Sequence, residues 1–122
     1  IDRIDQTKEG IRSVDYKSGF IKNGAVSLKN FNAFKTQNYS LQLITYAYLY
    51  HKQFKEDNLS AAIVSLKNPK GNFIYFSFNN NKVLGSALFS NYENYIADLV
   101  QQMTLENQEF KHNSKNKYCM IC

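Results

Sequence analysis

The chain has 122 residues, of which 43% are hydrophobic and 15% aromatic, with one proline and a formal net charge of +5. This length supports one globular domain and is too short for two. No apolar run approaches the ~20 residues that a membrane span needs, and no signal peptide is visible, so we expect a cytoplasmic protein without a membrane partner. The positive charge is compatible with nucleic acid, although the lysines are scattered.

The first two predicted elements are strands, "IDRIDQ" and "GIRSVDYKSG", joined by a turn at residues 8–10. Since strand side chains alternate with period two, Asp15 and Lys17 share one face while Val14 and Tyr16 share the other. Aspartate is depleted in strands, and both charged types resist burial. A solvated ion pair explains "DYK" by itself, so the tripeptide leaves structure and chemistry both open.

A second carboxylate, Asp2, lies in the preceding strand, and the predicted hairpin would bring it alongside Asp15. Two carboxylates without partners repel each other, and a bound divalent cation removes that repulsion. Mg²⁺ is typically held by one or two carboxylates, with waters and substrate phosphates as further ligands. Lys17 on the same face could then position a water or neutralise charge on a phosphate.

The segment from residue 19 to 38 is predicted to be a loop with one short element, and "YSLQLITYAYLYHKQFKED" to be a largely buried helix with Ser40 as its N-cap. Gln42 and Tyr46 stand at i and i+4 on one helix face. An inward amide and phenol need partners, which an active-site edge or a phosphate backbone could provide. The alternative is that their polar tips simply reach solvent.

The second half of the chain predicts a hairpin and a helix. "LSAAIVSLKNPKGNFIYFSFN" contains two strands around a turn at residues 68–71, and "ALFSNYENYIADLVQQM" spaces its apolar residues by three and four, as an amphipathic helix does. The order ββ-α-ββ-α predicts an α/β fold with a mixed central β-sheet flanked by helices.

In this order, "IDRID", "VDYKSG" and "LQLITYAYLY" resemble the motifs of the PD-(D/E)XK nuclease superfamily. The likeness is to its RecB/AddB-like branch, which carries a G-x-x-D strand, a D-Y-K-[ST]-G strand and a Q-x-x-x-Y helix. The motifs lie within roughly the first 50 residues. The resemblance implies a restriction-endonuclease-like core and Mg²⁺- or Mn²⁺-dependent hydrolysis of phosphodiester bonds in DNA, in repair or recombination.

The resemblance also implies roles for individual residues and a partner. These roles are catalysis by Asp2, Asp15 and Lys17; metal binding by Asp2, Asp15 and the backbone carbonyl of Tyr16; and nucleic-acid binding by Gln42 and Tyr46. A helicase subunit, or a helicase-like region of the same chain, is the expected partner besides DNA.

Two features depart from the family pattern. The family supplies a histidine or glutamate from a helix before the first motif, followed by a strand, whereas this sequence begins at Ile1. We therefore expect residues 1–122 to be a single nuclease-like domain, cut from a longer protein, without that helix and strand. AddB-type relatives hold an iron–sulfur cluster with clustered C-terminal cysteines, but Cys119 and Cys122 cannot complete a four-ligand site, so we expect no cluster.

The sequence leaves two alternatives to a metal-dependent nuclease. One is a catalytically inactive DNA-binding or scaffolding module of a helicase–nuclease complex, which keeps the fold. The other is an α/β interaction domain in which "DYK" occurs by coincidence. Intact Asp2, Asp15 and Lys17 argue against lost activity, because unpaired carboxylates destabilise a fold that has no use for them.

Overall fold

The computed structural model describes residues 1–68, 70–105 and 109. In chain order the elements are β1 (Arg3–Thr7), β2 (Gly10–Lys17), β3 (Ser27–Leu28), a 3-10 helix (Phe31–Lys35), α1 (Asn38–Phe54), β4 (Leu59–Ser65), β5 (Phe73–Tyr75), β6 (Ser77–Phe78) and α2 (Ser86–Thr104). Neither α-helix combines the length and the apolar character needed to cross a membrane, within the residues that are described.

The main sheet has four strands in the order β1-β2-β4-β5. The pairs β1–β2 and β4–β5 are antiparallel hairpins, whereas β2 and β4 are parallel neighbours. A parallel pair needs a crossover connection, and here the connection contains α1. The predicted mixed α/β fold is confirmed, and it is consistent with a restriction-endonuclease-like core.

The core lies between α1 and one face of this sheet. In the parallel register Ile11 stands beside Leu59, and Asp15 beside Ile63. The apolar members of these pairs belong to one buried cluster with three residues of α1, namely Leu43, Ile44 and Ala47. Because side chains alternate along β2, Asp15 and Lys17 lie on this helix-covered face.

Helix α1 differs from its prediction in two ways. Its buried residues form a single stripe, and Leu49 is 55% exposed, so the helix is amphipathic and not buried all round. The predicted N-cap is wrong: the cap position is Gln37, and Ser40 lies inside the helix, where its hydroxyl donates to Gln37 Oε1 at 3.2 Å. The helix begins at Asn38, two residues before Ser40, and Ser40 is fully buried.

The second predicted hairpin is confirmed, but its return strand is divided. Phe76 is fully buried and its N–H donates to the carbonyl of Ala61, after which the chain leaves the main sheet. The next residues form β6, which pairs in parallel with β3 in a small second sheet. The 19–38 segment therefore provides a short strand as well as a 3-10 helix. The predicted amphipathic helix is α2, which buries Phe89 and Tyr92.

The opposite face of the main sheet carries a charged and aromatic network centred on Arg12. Its guanidinium donates two hydrogen bonds to Asp5 Oδ2, at 2.7 and 3.1 Å, and one to the hydroxyl of Tyr75 at 2.7 Å. The guanidinium carbon also lies 3.9 Å from the ring centroid of Phe73. Arg3 Nε adds a second cation, 2.8 Å from Asp5 Oδ1. This network ties β1, β2 and β5 together.

The network makes a prediction about acid stability. The hydrogen bond from Arg12 is the main cause that holds the pKa of Asp5 below its ordinary value. A carboxylate whose pKa is lower in the folded state than in the unfolded state stabilises the fold. This stabilisation is fully present at a pH above the unfolded-state pKa of about 3.9, and it is lost as the pH falls through the folded-state pKa. Asp5→Asn should therefore lower stability at pH 7 and flatten the acid limb of a denaturation series, whereas Glu9→Gln should not. An Asp5→Asn variant that keeps the wild-type acid slope would contradict this assignment.

Candidate active site

The site is built around Asp15, near the carboxyl end of β2. Asp15 is only 4% exposed, and its Oδ2 lies 2.7 Å from Nζ of Lys17. A carboxylate buried to this extent requires a nearby cation or strong hydrogen bonds. The period of the strand places that cation two residues further along the same face.

Helix α1 adds the two residues of the Q-x-x-x-Y pattern. The amide oxygen of Gln42 accepts a hydrogen bond from Lys17 Nζ at 2.9 Å. Its amide nitrogen donates to the Tyr46 hydroxyl at 2.7 Å and, at the long distance of 3.5 Å, to Asp15 Oδ1. Gln42 therefore contacts the Asp15–Lys17 pair directly, and Tyr46 joins the pair through Gln42, while the binding of nucleic acid by both residues stays a prediction.

One oxygen of Asp15 remains incompletely satisfied. Oδ2 is buried and has no hydrogen bond of good geometry among the described residues, even though the ammonium of Lys17 is 2.7 Å away. The ammonium of Lys17 therefore neutralises the charge of Oδ2 as an ion pair, without a proton aligned with a lone pair of that oxygen. This oxygen keeps unused hydrogen-bonding capacity, which a ligand could use only after the ammonium of Lys17 moves aside.

Asp2 is held next to Asp15 by hydrogen bonds to the backbone of β2. It directly precedes β1; its N–H donates to the carbonyl of Val14 at 3.1 Å, and its Oδ2 accepts from the N–H of Tyr16 at 2.7 Å. The β1–β2 register pairs Arg3 with Val14, so one further step stands Asp2 opposite Asp15. The hairpin thus holds Asp2 beside the D-x-K segment. Convergence of both carboxylates on one ion stays a prediction.

The donor atoms at this end of the sheet fit a hard cation. They are the carboxylates of Asp2 and Asp15 with the main-chain carbonyl of Tyr16, all oxygens. Within the described part of the chain, no three histidine, cysteine or acidic side chains cluster closely enough to bind a metal between them. Mg²⁺ needs no more than one or two carboxylates, together with waters and substrate phosphates, whereas zinc prefers nitrogen and sulfur. Cys119 and Cys122 lie outside the described residues.

Sequence reasoning missed one neighbour of Lys17. The ring centroid of Tyr39 lies 5.4 Å from Lys17 Nζ, and Tyr39 is 44% exposed. A signal was present, because Tyr39 precedes Gln42 by three residues and Tyr46 by seven, which places all three on one helix stripe.

The comparison with protein families agrees with this geometry. The model of the PD-(D/E)XK nuclease superfamily matches residues 1–122, well beyond the motif-bearing first half. No curated protein and no solved structure gives a significant match. The RecB/AddB-like branch is a finer assignment than this match provides and stays a prediction. The chain belongs to the PD-(D/E)XK nuclease superfamily.

Proposed function

We propose that this chain cleaves phosphodiester bonds in DNA with the help of Mg²⁺ or Mn²⁺, as a RecB-like nuclease working in repair or recombination. The observation that supports this most directly is Asp15 Oδ2, a buried carboxylate oxygen beside a lysine and without an aligned donor among the described residues. A fold that used Asp15 only for structure would gain by completing its hydrogen bonds.

Asp2, Asp15 and the carbonyl of Tyr16 would hold the ion. When bound, it supplies charge neutralisation and an activated water for attack on phosphorus. The hydrogen bond between Tyr16 N–H and Asp2 Oδ2 fixes the Asp2 carboxylate next to the strand before any ligand arrives. This preorganisation reduces the ordering that substrate binding would otherwise require.

Lys17 provides the positive charge for the phosphate. Gln42 Oε1 accepts one of the three ammonium protons, and Gln42 in turn is held by the hydroxyl of Tyr46. The lysine therefore keeps one fixed contact when it turns from Asp15 toward a phosphate oxygen. Charge that develops on that oxygen during in-line attack is then stabilised by a positioned ammonium.

One observation favours a second candidate function. The Asp15–Lys17 pair is closed in this structure, and a closed, buried pair also suits an inactive DNA-binding or scaffolding module. Either function is compatible with a helicase partner. Cleavage and metal binding, measured separately, distinguish the two functions.

The first test is cleavage of labelled single- and double-stranded DNA with Mg²⁺, Mn²⁺ or EDTA. Asp15→Asn and Lys17→Ala should each reduce the cleavage rate by about 10²-fold or more, because each removes charge stabilisation at the phosphate. Two control variants, Asp98→Asn on α2 and Lys52→Ala on α1, change exposed residues and should leave the cleavage rate unchanged. Wild-type protein that binds DNA and cuts it with neither metal would contradict the nuclease proposal and favour the scaffold.

Metal binding provides a second test that does not depend on activity. Mn²⁺ titration by calorimetry should show lost binding in Asp15→Asn, since a ligand is removed. In Lys17→Ala, binding should be kept or tightened, because the ammonium 2.7 Å from Oδ2 competes with the ion for that oxygen. Equal loss of Mn²⁺ binding in both variants would show that Lys17 is needed to build the site and would contradict this competition.

Gln42 offers a third test. Gln42→Ala removes the acceptor of one Lys17 hydrogen bond and the donor to the Tyr46 hydroxyl, so we expect the free energy of unfolding to fall by about 1–2 kcal/mol. Cleavage should fall by more than this change in folding explains, because the ammonium loses the hydrogen bond that would hold it when it leaves Asp15. The measurement compares urea denaturation with the cleavage rate at saturating DNA, and Gln101→Ala on the exposed end of α2 is the control. A sharp loss of stability with unchanged cleavage would make Gln42 a structural buried amide.

A further inference from the structure

Three groups surround the ammonium of Lys17: Asp15 Oδ2 at 2.7 Å, Gln42 Oε1 at 2.9 Å, and the ring of Tyr39 at 5.4 Å. Asp15 is buried and Gln42 is half-buried, whereas Tyr39 is 44% exposed. A ligand that arrives from solvent at this lysine therefore meets the Tyr39 ring beside it.

The ring of Tyr39 is also unusually free. Helix α1 carries four tyrosines, and the other three have partners: Tyr46 bonds Gln42, Tyr48 packs on α2, and Tyr50 packs on Phe54. Across the described residues, the Tyr39 side chain makes no ring-to-ring contact and no hydrogen bond. The interaction that it does make is the cation–π contact with the ammonium of Lys17. Packing inside the protein thus does not explain its position.

The surroundings suit a nucleotide. An ammonium binds a phosphate oxygen, and the face of an aromatic ring binds a base. The first turn of α1, which contains Tyr39, has no acidic side chain that would repel a phosphate. Lys17 and Tyr39 together therefore present one phosphate contact and one stacking surface side by side.

We propose that Tyr39 stacks against an unpaired nucleobase next to the phosphate that Lys17 contacts, so that the site selects single-stranded DNA or a frayed strand end. This inference rests on the proposed nuclease function and adds the class of substrate. A base inside a duplex has both faces covered by its neighbours, and it cannot receive the ring without unstacking. Stacking of this kind tolerates any sequence, since every base has a π-face.

The test measures DNA binding with Ca²⁺ in place of Mg²⁺, so that cleavage does not interfere. The probes are a single-stranded oligonucleotide with 2-aminopurine at successive positions and a blunt hairpin duplex with the same number of nucleotides. Tyr39→Leu should bind the single strand roughly 10- to 100-fold more weakly and fail to quench 2-aminopurine at the position that wild type quenches. Tyr39→Phe should retain both properties, and duplex affinity should be the same in all three proteins.

Phe54→Leu is the matched control, because Phe54 is an aromatic residue at the other end of α1 and is 58% exposed. It should bind both probes as wild type does. Tyr39→Gln, which keeps a good helix former in the first turn, should repeat the loss if the leucine variant folds poorly.

Four outcomes would overturn the inference. Equal loss for single strand and duplex would make Tyr39 a positioning residue for Lys17, and equal loss in Tyr39→Phe would assign the effect to the hydroxyl. Unchanged binding in Tyr39→Leu, with cleavage still abolished by Asp15→Asn, would remove this inference alone. Wild-type protein that binds neither probe would remove both this inference and the proposed function.

Discussion

The candidate site depends on one buried ion pair. Asp15 is almost fully buried, and in the described residues its Oδ2 forms an ion pair with the ammonium of Lys17, 2.7 Å away. An isolated carboxylate at this depth would destabilise the fold by several kcal/mol. The central position of β2, the helix above it and the amide of Gln42 all serve to bury this pair and to orient the lysine.

Backbone contacts at the carboxyl end of β2 keep the pair in place. The Lys17 carbonyl accepts a hydrogen bond from Leu66 N–H at 2.9 Å, and the hydroxyl of Ser65 donates to the Gly19 carbonyl at 2.7 Å. Both contacts come from the end of β4, the parallel neighbour of β2. The crossover through α1 thus has two effects: it covers Asp15, and it returns the chain to a strand that secures the segment after Lys17.

Features that depend on local periodicity could be predicted from the sequence. These include the β1–β2 hairpin, in which Gly10 follows the turn with a φ of +122°, the shared face of Asp15 and Lys17, and the shared helix face of Gln42 and Tyr46. Features that depend on distant packing could not. The return strand divides at Phe76, where the N–H donates to the carbonyl of Ala61. The local pattern of alternating residues does not reveal this contact with a distant strand.

The same interaction that stabilises the protein opposes the proposed reaction. While Lys17 neutralises Asp15, it cannot approach a phosphate, and Asp15 is shielded from a cation. A cation bound at Asp15 would replace the positive charge of Lys17, and a phosphate bound at Lys17 would replace the negative charge of Asp15. Each ligand should therefore favour the binding of the other. The hydrogen bond from Lys17 to Gln42 limits how far the ammonium moves in this exchange. In the proposed function, the ion pair would neutralise Asp15 without substrate and, by separating, would link metal binding to DNA binding.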